Sequence, residues 1–137
     1  MVDPYVKLTL VADAQVNPDG NQRPSPIGVK VMLLRSRNTL ETLNFERSFY
    51  ETEKWLADDL LRVEEFFLQP KESIEKKIEL PPEVAYLAVV AGYRQLDSSR
   101  WKWIEPINNY GYGKRVFMLD GTGIVKGAAE PHTQKTP

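Results

Sequence analysis

The sequence lacks cysteine, has a single histidine, His132, and carries no excess of either charge: 18 Lys+Arg stand against 19 Asp+Glu, a formal −1. Each shortage removes a class of function. Without cysteine there is no disulfide framework, no thiol nucleophile and no thiolate-ligated zinc. A sequence pI near 5.9 leaves no basic surplus to displace counterions from phosphates, so a nucleic-acid partner is not expected. No run approaches the ~18 consecutive apolar residues that cross a bilayer. Met1-Val2-Asp3-Pro4 has neither the basic nor the apolar region of a signal peptide. Met1 is therefore read as a start placed on a mature domain, from which any export or lipid signal has been cut away. His132 lies in the polar, proline-bounded stretch from Ala128 to Pro137, read as a disordered tail. A mobile imidazole is not held within hydrogen-bond reach of a reacting atom, so neither a histidine base nor a triad is expected.

What is present is an ordinary globular composition, 42% hydrophobic and 27% charged over 137 residues. That suits one domain with its own core, expected over residues 1–127. Tyr5 to Ala14 alternates, with Val6, Leu8 and Leu10 on one face, and reads as a half-buried strand. Asn17 to Pro26 holds three prolines, a glycine and two asparagines and reads as a long turn or loop. A second strand follows with Ile27, Val29, Val31 and Leu33 on one face; Met32 and Leu34 make the other face partly apolar. From about Asn44 to Leu61 the period becomes helical, with Phe45, Phe49, Leu56 and Leu60 on one side. Asn44 is a plausible N-cap, and Ser48 with Glu51 is an alternative capping box.

Strand signals then return at Arg62–Gln69 and at Ser73–Leu80, an edge strand by its lysines. Ala85–Tyr93 is apolar throughout, as a central strand covered on both faces would be. Trp101–Ile104, Lys114–Leu119 and Gly123–Lys126 complete the set. The expected fold is mainly β: a two-sheet sandwich of seven or eight strands with one inserted α-helix.

Reactive constellations are weak. Glu64 and Glu65 are adjacent on a strand and point to opposite faces, so they cannot share a site. Asp58-Asp59 reads as solvated charge. Asp13, Asn17, Asp19 and Asn21 are oxygen ligands on one loop but lack the calcium-loop spacing. Gly111-Tyr112-Gly113-Lys114 leads into a strand, not a helix, and so is a turn rather than a phosphate loop. Trp101 and Trp103 share one face of a strand and could stack a sugar, with Tyr110 and Tyr112 nearby. The proline-stiffened loop remains, with one strong charge, Arg23. Proline reduces the entropy lost on docking, which suits a binding loop on a rigid scaffold.

Several segments, in order, resemble the outer-membrane lipoprotein family of the bacterial type VI secretion system (TssJ/SciN). They are the strand ending before Asn17-Pro18-Asp19, then Arg23-Pro24-Ser25-Pro26 leading into Ile27-Gly28-Val29-Lys30-Val31-Met32-Leu33-Leu34. Phe45, Phe49-Tyr50 and Leu56-Ala57-Asp58-Asp59-Leu60-Leu61 follow. Glu64, Phe67-Leu68-Gln69-Pro70, Leu87-Ala88-Val89-Val90-Ala91-Gly92-Tyr93-Arg94 and Trp101-Lys102 complete them. Ala57 stands where the family often has glycine, and Lys71 where glycine commonly follows the proline. The lipid-bearing N-terminal cysteine of the family is missing.

The resemblance implies a transthyretin-like sandwich with an added helix and a non-enzymatic role without cofactor or metal. The expected place is the periplasmic face of the outer membrane. The expected partner is the C-terminal periplasmic region of a TssM-type inner-membrane protein, in the membrane core complex. Membrane contact is expected only through an N-terminal lipid that this chain does not carry. The partner-binding loop implied is Asn17, Pro18, Asp19, Gly20, Asn21, Gln22, Arg23 and Pro24. The alternative is a carbohydrate-binding sandwich using the surface Trp and Tyr residues.

Overall fold

A computed structural model describes residues 3–127 of the chain. The tail expected over 128–137, with His132, lies outside the described residues. Eight strands follow the chain: β1 (Tyr5–Ala12), β2 (Ile27–Leu34), β3 (Leu60–Leu68), β4 (Ser73–Glu79), β5 (Tyr86–Ala91), β6 (Lys102–Pro106), β7 (Tyr112–Leu119) and β8 (Ile124–Lys126). They form two four-stranded sheets, β4-β1-β7-β8 and β3-β2-β5-β6. Every pairing is antiparallel except that of β1 with β7. This is the expected sandwich, with β4 on an edge and β5 between two neighbours.

Alternation in the sequence decides which side chains meet between the sheets. Val6, Leu8 and Leu10 of β1, with Phe117 and Leu119 of the adjacent β7, meet Ile27, Val29, Val31 and Leu33 of β2 and Leu87 and Val89 of β5 in one buried cluster. Met32, Leu34, Ala88 and Val90 have the opposite parity and are equally buried, in a second cluster with Leu40, Leu43, Phe45, Phe49 and Leu56. The second sheet is thus covered on both sides, which is why β2 and β5 are apolar on both parities.

The cover is helical, but it is not the single helix expected over Asn44–Leu61. Three short helices, α1 (Asn38–Thr42), α2 (Phe45–Phe49) and α3 (Thr52–Leu56), are followed by a 3₁₀ turn at Ala57–Asp59. Asn44 caps α2 as expected, its side chain accepting from the Arg47 amide at 2.9 Å. The Ser48–Glu51 capping box does not form. Ser48 Oγ instead donates to the Asn44 carbonyl at 2.7 Å and Thr52 Oγ1 to the Ser48 carbonyl at 2.6 Å. Such back-bonding competes with regular helix. The Phe49 carbonyl accepts from Lys30 Nζ of β2 at 2.6 Å. Lys102 of β6 likewise donates to the carbonyls of Leu40 at 2.7 Å and Leu43 at 2.9 Å. Two lysines rising from the sheet therefore close the C-terminal ends of α1 and α2, where cations are favoured. Burial lowers the pKa of Lys102, opposed by the nearby Glu41 carboxylate.

The chain leaves α3 through Ala57, at φ 48° and ψ −120°, a region that glycine tolerates and a Cβ does not. Lys71 is also left-handed, at φ 74°. The two positions where the resemblance expects glycine are thus turns that want one. Ala57→Gly is expected to raise stability by about 1 kcal/mol, read as a rise in the urea midpoint at unchanged m-value.

Candidate functional site

The connection from β1 to β2 is built in two parts, a neck and an arch. At the neck, the Asp13 amide donates to the Leu119 carbonyl at 3.0 Å and the Ser25 amide to the Val16 carbonyl at 3.0 Å. Val16 is buried in the inter-sheet core. Asn17 is only 2% exposed and lies at φ 51°, left-handed backbone that asparagine adopts more readily than most residues. Its Nδ2 donates to the Pro26 carbonyl at 2.8 Å, and its Oδ1 accepts from the Arg94 amide at 2.8 Å. One side chain thus ties both ends of the loop to the segment that follows β5.

Asp19 organises the arch. Its Oδ1 accepts from the amides of Asn21 at 2.8 Å and Arg23 at 3.0 Å, and its Oδ2 meets Arg23 Nε at 3.2 Å. Its own amide donates to the Arg23 carbonyl at 2.8 Å. The Arg23 and Asn21 amides hold its carboxyl below the ordinary value of 3.8 against some desolvation, and the Arg23 charge assists. A depressed pKa means that the turn keeps its charged hub at neutral pH and loses it only as pH falls below the usual carboxylate range. Gln95 Nε2 supports the arch from outside, donating to the Asp19 carbonyl at 3.3 Å.

The eight residues expected to form a binding loop therefore divide. Gly20, Asn21, Gln22, Arg23 and Pro24 are exposed, Pro18 and Asp19 are half-buried, and Asn17 is buried. Asn17 is thus corrected from a contact residue to an anchor: its polar atoms are spent inside the fold. Asp19 is a hub whose replacement would disturb the arch itself. Among the described residues no group of three or more His, Asp or Glu side chains is placed to hold a metal ion; in this loop Asp13 Oδ1 accepts from the Gln15 amide at 2.8 Å.

Sequence reasoning missed the bracing residues. Arg94 and Gln95 lie 77 and 76 positions from their partners in the loop, and no local pattern signals such a pairing. Tyr93 belongs with them. It is buried, and its hydroxyl donates to the Asp120 carbonyl at 3.1 Å. Burial, with the Asp120 and Asp13 charges, pushes the phenol well above its ordinary pKa, so it stays a donor at every physiological pH. Glu105 is the other missed group. It accepts from Trp103 Nε1 at 2.9 Å, Arg115 Nε at 2.7 Å and Lys126 Nζ at 2.6 Å, joining β6 of one sheet to β7 and β8 of the other. Desolvation raises its pKa, but these donors more than offset it and leave the carboxyl below the ordinary value.

The aromatic platform of the alternative reading is not assembled. Trp101 and Trp103 are both partly buried, and their rings have different aromatic neighbours. Trp101 lies edge-on to Phe45 of the helical layer, with centroids 5.5 Å apart, while Trp103 packs against Phe117 of the opposite sheet at 6.2 Å. Tyr112 stacks on Tyr5 at 5.5 Å, at the far end of β7. Glu64 pairs with Arg62 at 2.6 Å and with Lys76 at 4.0 Å, whereas Glu65 is exposed; the two form no common site, as strand geometry requires.

Comparison with known proteins follows the same lines. The model of the type VI secretion lipoprotein family (VasD, EvfM, TssJ) matches residues 4–122. Among curated proteins, none matches the chain. Among solved structures, the chain is similar to the type VI lipoprotein TssJ1 from Pseudomonas aeruginosa, with TM-score 0.88 and 20% identity over 99% of this chain and 100% of that one. It is also similar to Serratia marcescens Lip, a membrane-bound component of the type VI secretion system, with TM-score 0.81 and 23% identity over 93% and 98%. A chain in a structure of the TssM C-terminal domain from EAEC matches with TM-score 0.71 and 16% identity over 89% and 99%.

Proposed function

The chain belongs to the type VI secretion lipoprotein family, and on that premise we propose that it is the periplasmic domain of an outer-membrane lipoprotein. In this reading it docks, through the arch between β1 and β2, onto the C-terminal periplasmic region of a TssM-type inner-membrane protein. It performs no reaction; its work is to join two parts of the envelope-spanning core complex.

The observation that carries the reading is where the arch stands. β1 starts just after Asp3 and Pro4 and delivers the chain to the loop eight residues later, about 26 Å along an extended strand. A lipid attached ahead of Asp3 would hold one end of the sandwich at the membrane and turn the other end, with the arch, toward the periplasm. The arch is closed by its own hydrogen bonds, so little conformational entropy remains to be lost on docking. The presence of a similar chain in a structure of a TssM C-terminal domain is consistent with this partner.

The test leaves Asn17 and Asp19 untouched and changes only exposed tip residues. Asn21→Glu with Arg23→Glu is expected to weaken binding to the partner's periplasmic C-terminal region at least tenfold, measured by titration calorimetry. The melting temperature should move little, because an exposed ion pair such as Arg23–Asp19 is screened by solvent and contributes little to stability. Unchanged affinity would remove the tip from the interface.

A further inference from the structure

The end of the sandwich opposite the arch carries exposed aromatic and apolar side chains that neither the core nor the docking reading uses. The connection from β6 to β7 ends in Tyr110, 83% exposed, and β7 opens with Tyr112, 70% exposed. Both are held in place. The Tyr110 amide donates to Asn108 Oδ1 at 3.0 Å. The Tyr5 amide donates to the Gly111 carbonyl at 3.0 Å, and the Tyr112 ring stacks on Tyr5 at an interplanar angle of 13°. Beside them a shallow hollow of about 500 Å³ is lined by Pro4, Leu61, Leu80, Pro81 and Pro82, with the charged Asp3, Arg62 and Glu79 and with Asn109 of the tyrosine loop. A smaller hollow joins Leu80 to Tyr110 and Tyr112. The Leu80 amide donates to the Pro4 carbonyl at 3.0 Å, so the start of the described chain is part of this same face.

We propose that this end of the domain rests directly on the lipid surface, with Tyr110 and Tyr112 seated at the headgroup level and the Pro4–Pro82 hollow against the membrane. Tyrosine suits that depth because one end of the side chain is apolar and the other hydrogen-bonds. The membrane is the occupant because the family is one of lipoproteins and whatever precedes Asp3 departs from this face. The contact fixes the orientation of the domain, not only its distance from the bilayer, and so aims the arch. It rests on the N-terminal anchoring of the proposed function but not on which protein the arch binds.

The absence of cysteine makes the experiment clean. Val2→Cys introduces one thiol, which is coupled to a maleimide lipid in vesicles of phosphatidylcholine and phosphatidylethanolamine. Amide hydrogen exchange is then compared between the tethered and free protein at low surface density. Exchange over residues 107–113 is expected to slow at least threefold on tethering, with no change over residues 20–24. Tyr110→Ser with Tyr112→Ser should abolish the slowing and leave partner affinity as it was. Equal exchange at 107–113 in the tethered and free states would overturn the proposal, as would slowing that survives the double substitution. Slowing that grows with protein density would also overturn it, by making a second copy the occupant. Failure of the arch variants in calorimetry, by contrast, sinks only the docking reading.

Discussion

Gly123→Ala is expected to cost about 3–4 kcal/mol, since it combines a forbidden backbone angle with overpacking against fixed atoms. Gly123 sits at φ 143°, and a Cβ there would lie 2.5 Å from the Arg100 nitrogen and 2.7 Å from its oxygen. These atoms cannot swing aside as a side-chain tip would. The Arg100 amide donates to the Thr122 carbonyl at 2.9 Å and its carbonyl accepts from the Ile124 amide at 2.9 Å, making the bridge through which the segment before β6 grips β8. Asp120 Oδ1 fixes the same turn by accepting from the Thr122 amide at 2.7 Å and the Gly123 amide at 2.9 Å. The loss should appear as a fall in melting temperature of roughly 10 °C in a chain of this size. Near-wild-type melting would mean that the bridge yields easily and is not a structural constraint.

Asn17→Ala is expected to lower stability by about 3 kcal/mol, because a buried donor and a buried acceptor lose their partner and each such group costs roughly 1–3 kcal/mol. It should also abolish partner binding while leaving every exposed residue of the arch in place. Two companion variants separate the causes. Asn17→Gly accepts the left-handed backbone but makes neither bond, so it should recover only the small conformational part. Asn17→Asp can still accept from the Arg94 amide but faces the Pro26 carbonyl with a second acceptor, and should fall between wild type and alanine. Calorimetric binding and urea denaturation on the same samples check both effects. Wild-type affinity in Asn17→Ala would show that the arch holds its shape without its neck, and that the division into anchor and tip is wrong.

How much of this was legible beforehand differs by element. Where one parity of a strand meets the core, the alternation is written locally: Val6, Leu8 and Leu10 face inward as their spacing says. The edge position of β4 was legible from its lysines, and the buried β5 from its unbroken apolar run. The helical cover was legible as a stripe, since Phe45, Phe49 and Leu56 are buried. It was not legible as three pieces, because the break at Tyr50–Glu51 is set by hydroxyls turned back on the backbone and by Lys30 arriving from another strand.

The site behaves in the same way. Proline, glycine and asparagine announced a loop at Asn17–Pro26. Which of its residues face out is fixed by Arg94 and Gln95, far away in the chain. Trp101 and Trp103 misled for a related reason: a spacing of two does not decide which neighbour each large ring packs against, and Phe45 and Phe117 come from distant parts of the chain.

Composition and local periodicity alone determined that this chain is a mainly β sandwich with a stiff polar loop after its first strand. These properties depend on neighbours within a few positions, where backbone sterics and the pairing of apolar faces act. Only the tertiary structure decided that Asn17 is an anchor, that two lysines close the helices, and that arch and tyrosines stand at opposite ends. Each of those follows from contacts between residues distant in sequence, and the energy that fixes them exists only once the two sheets and the helical cover have packed together.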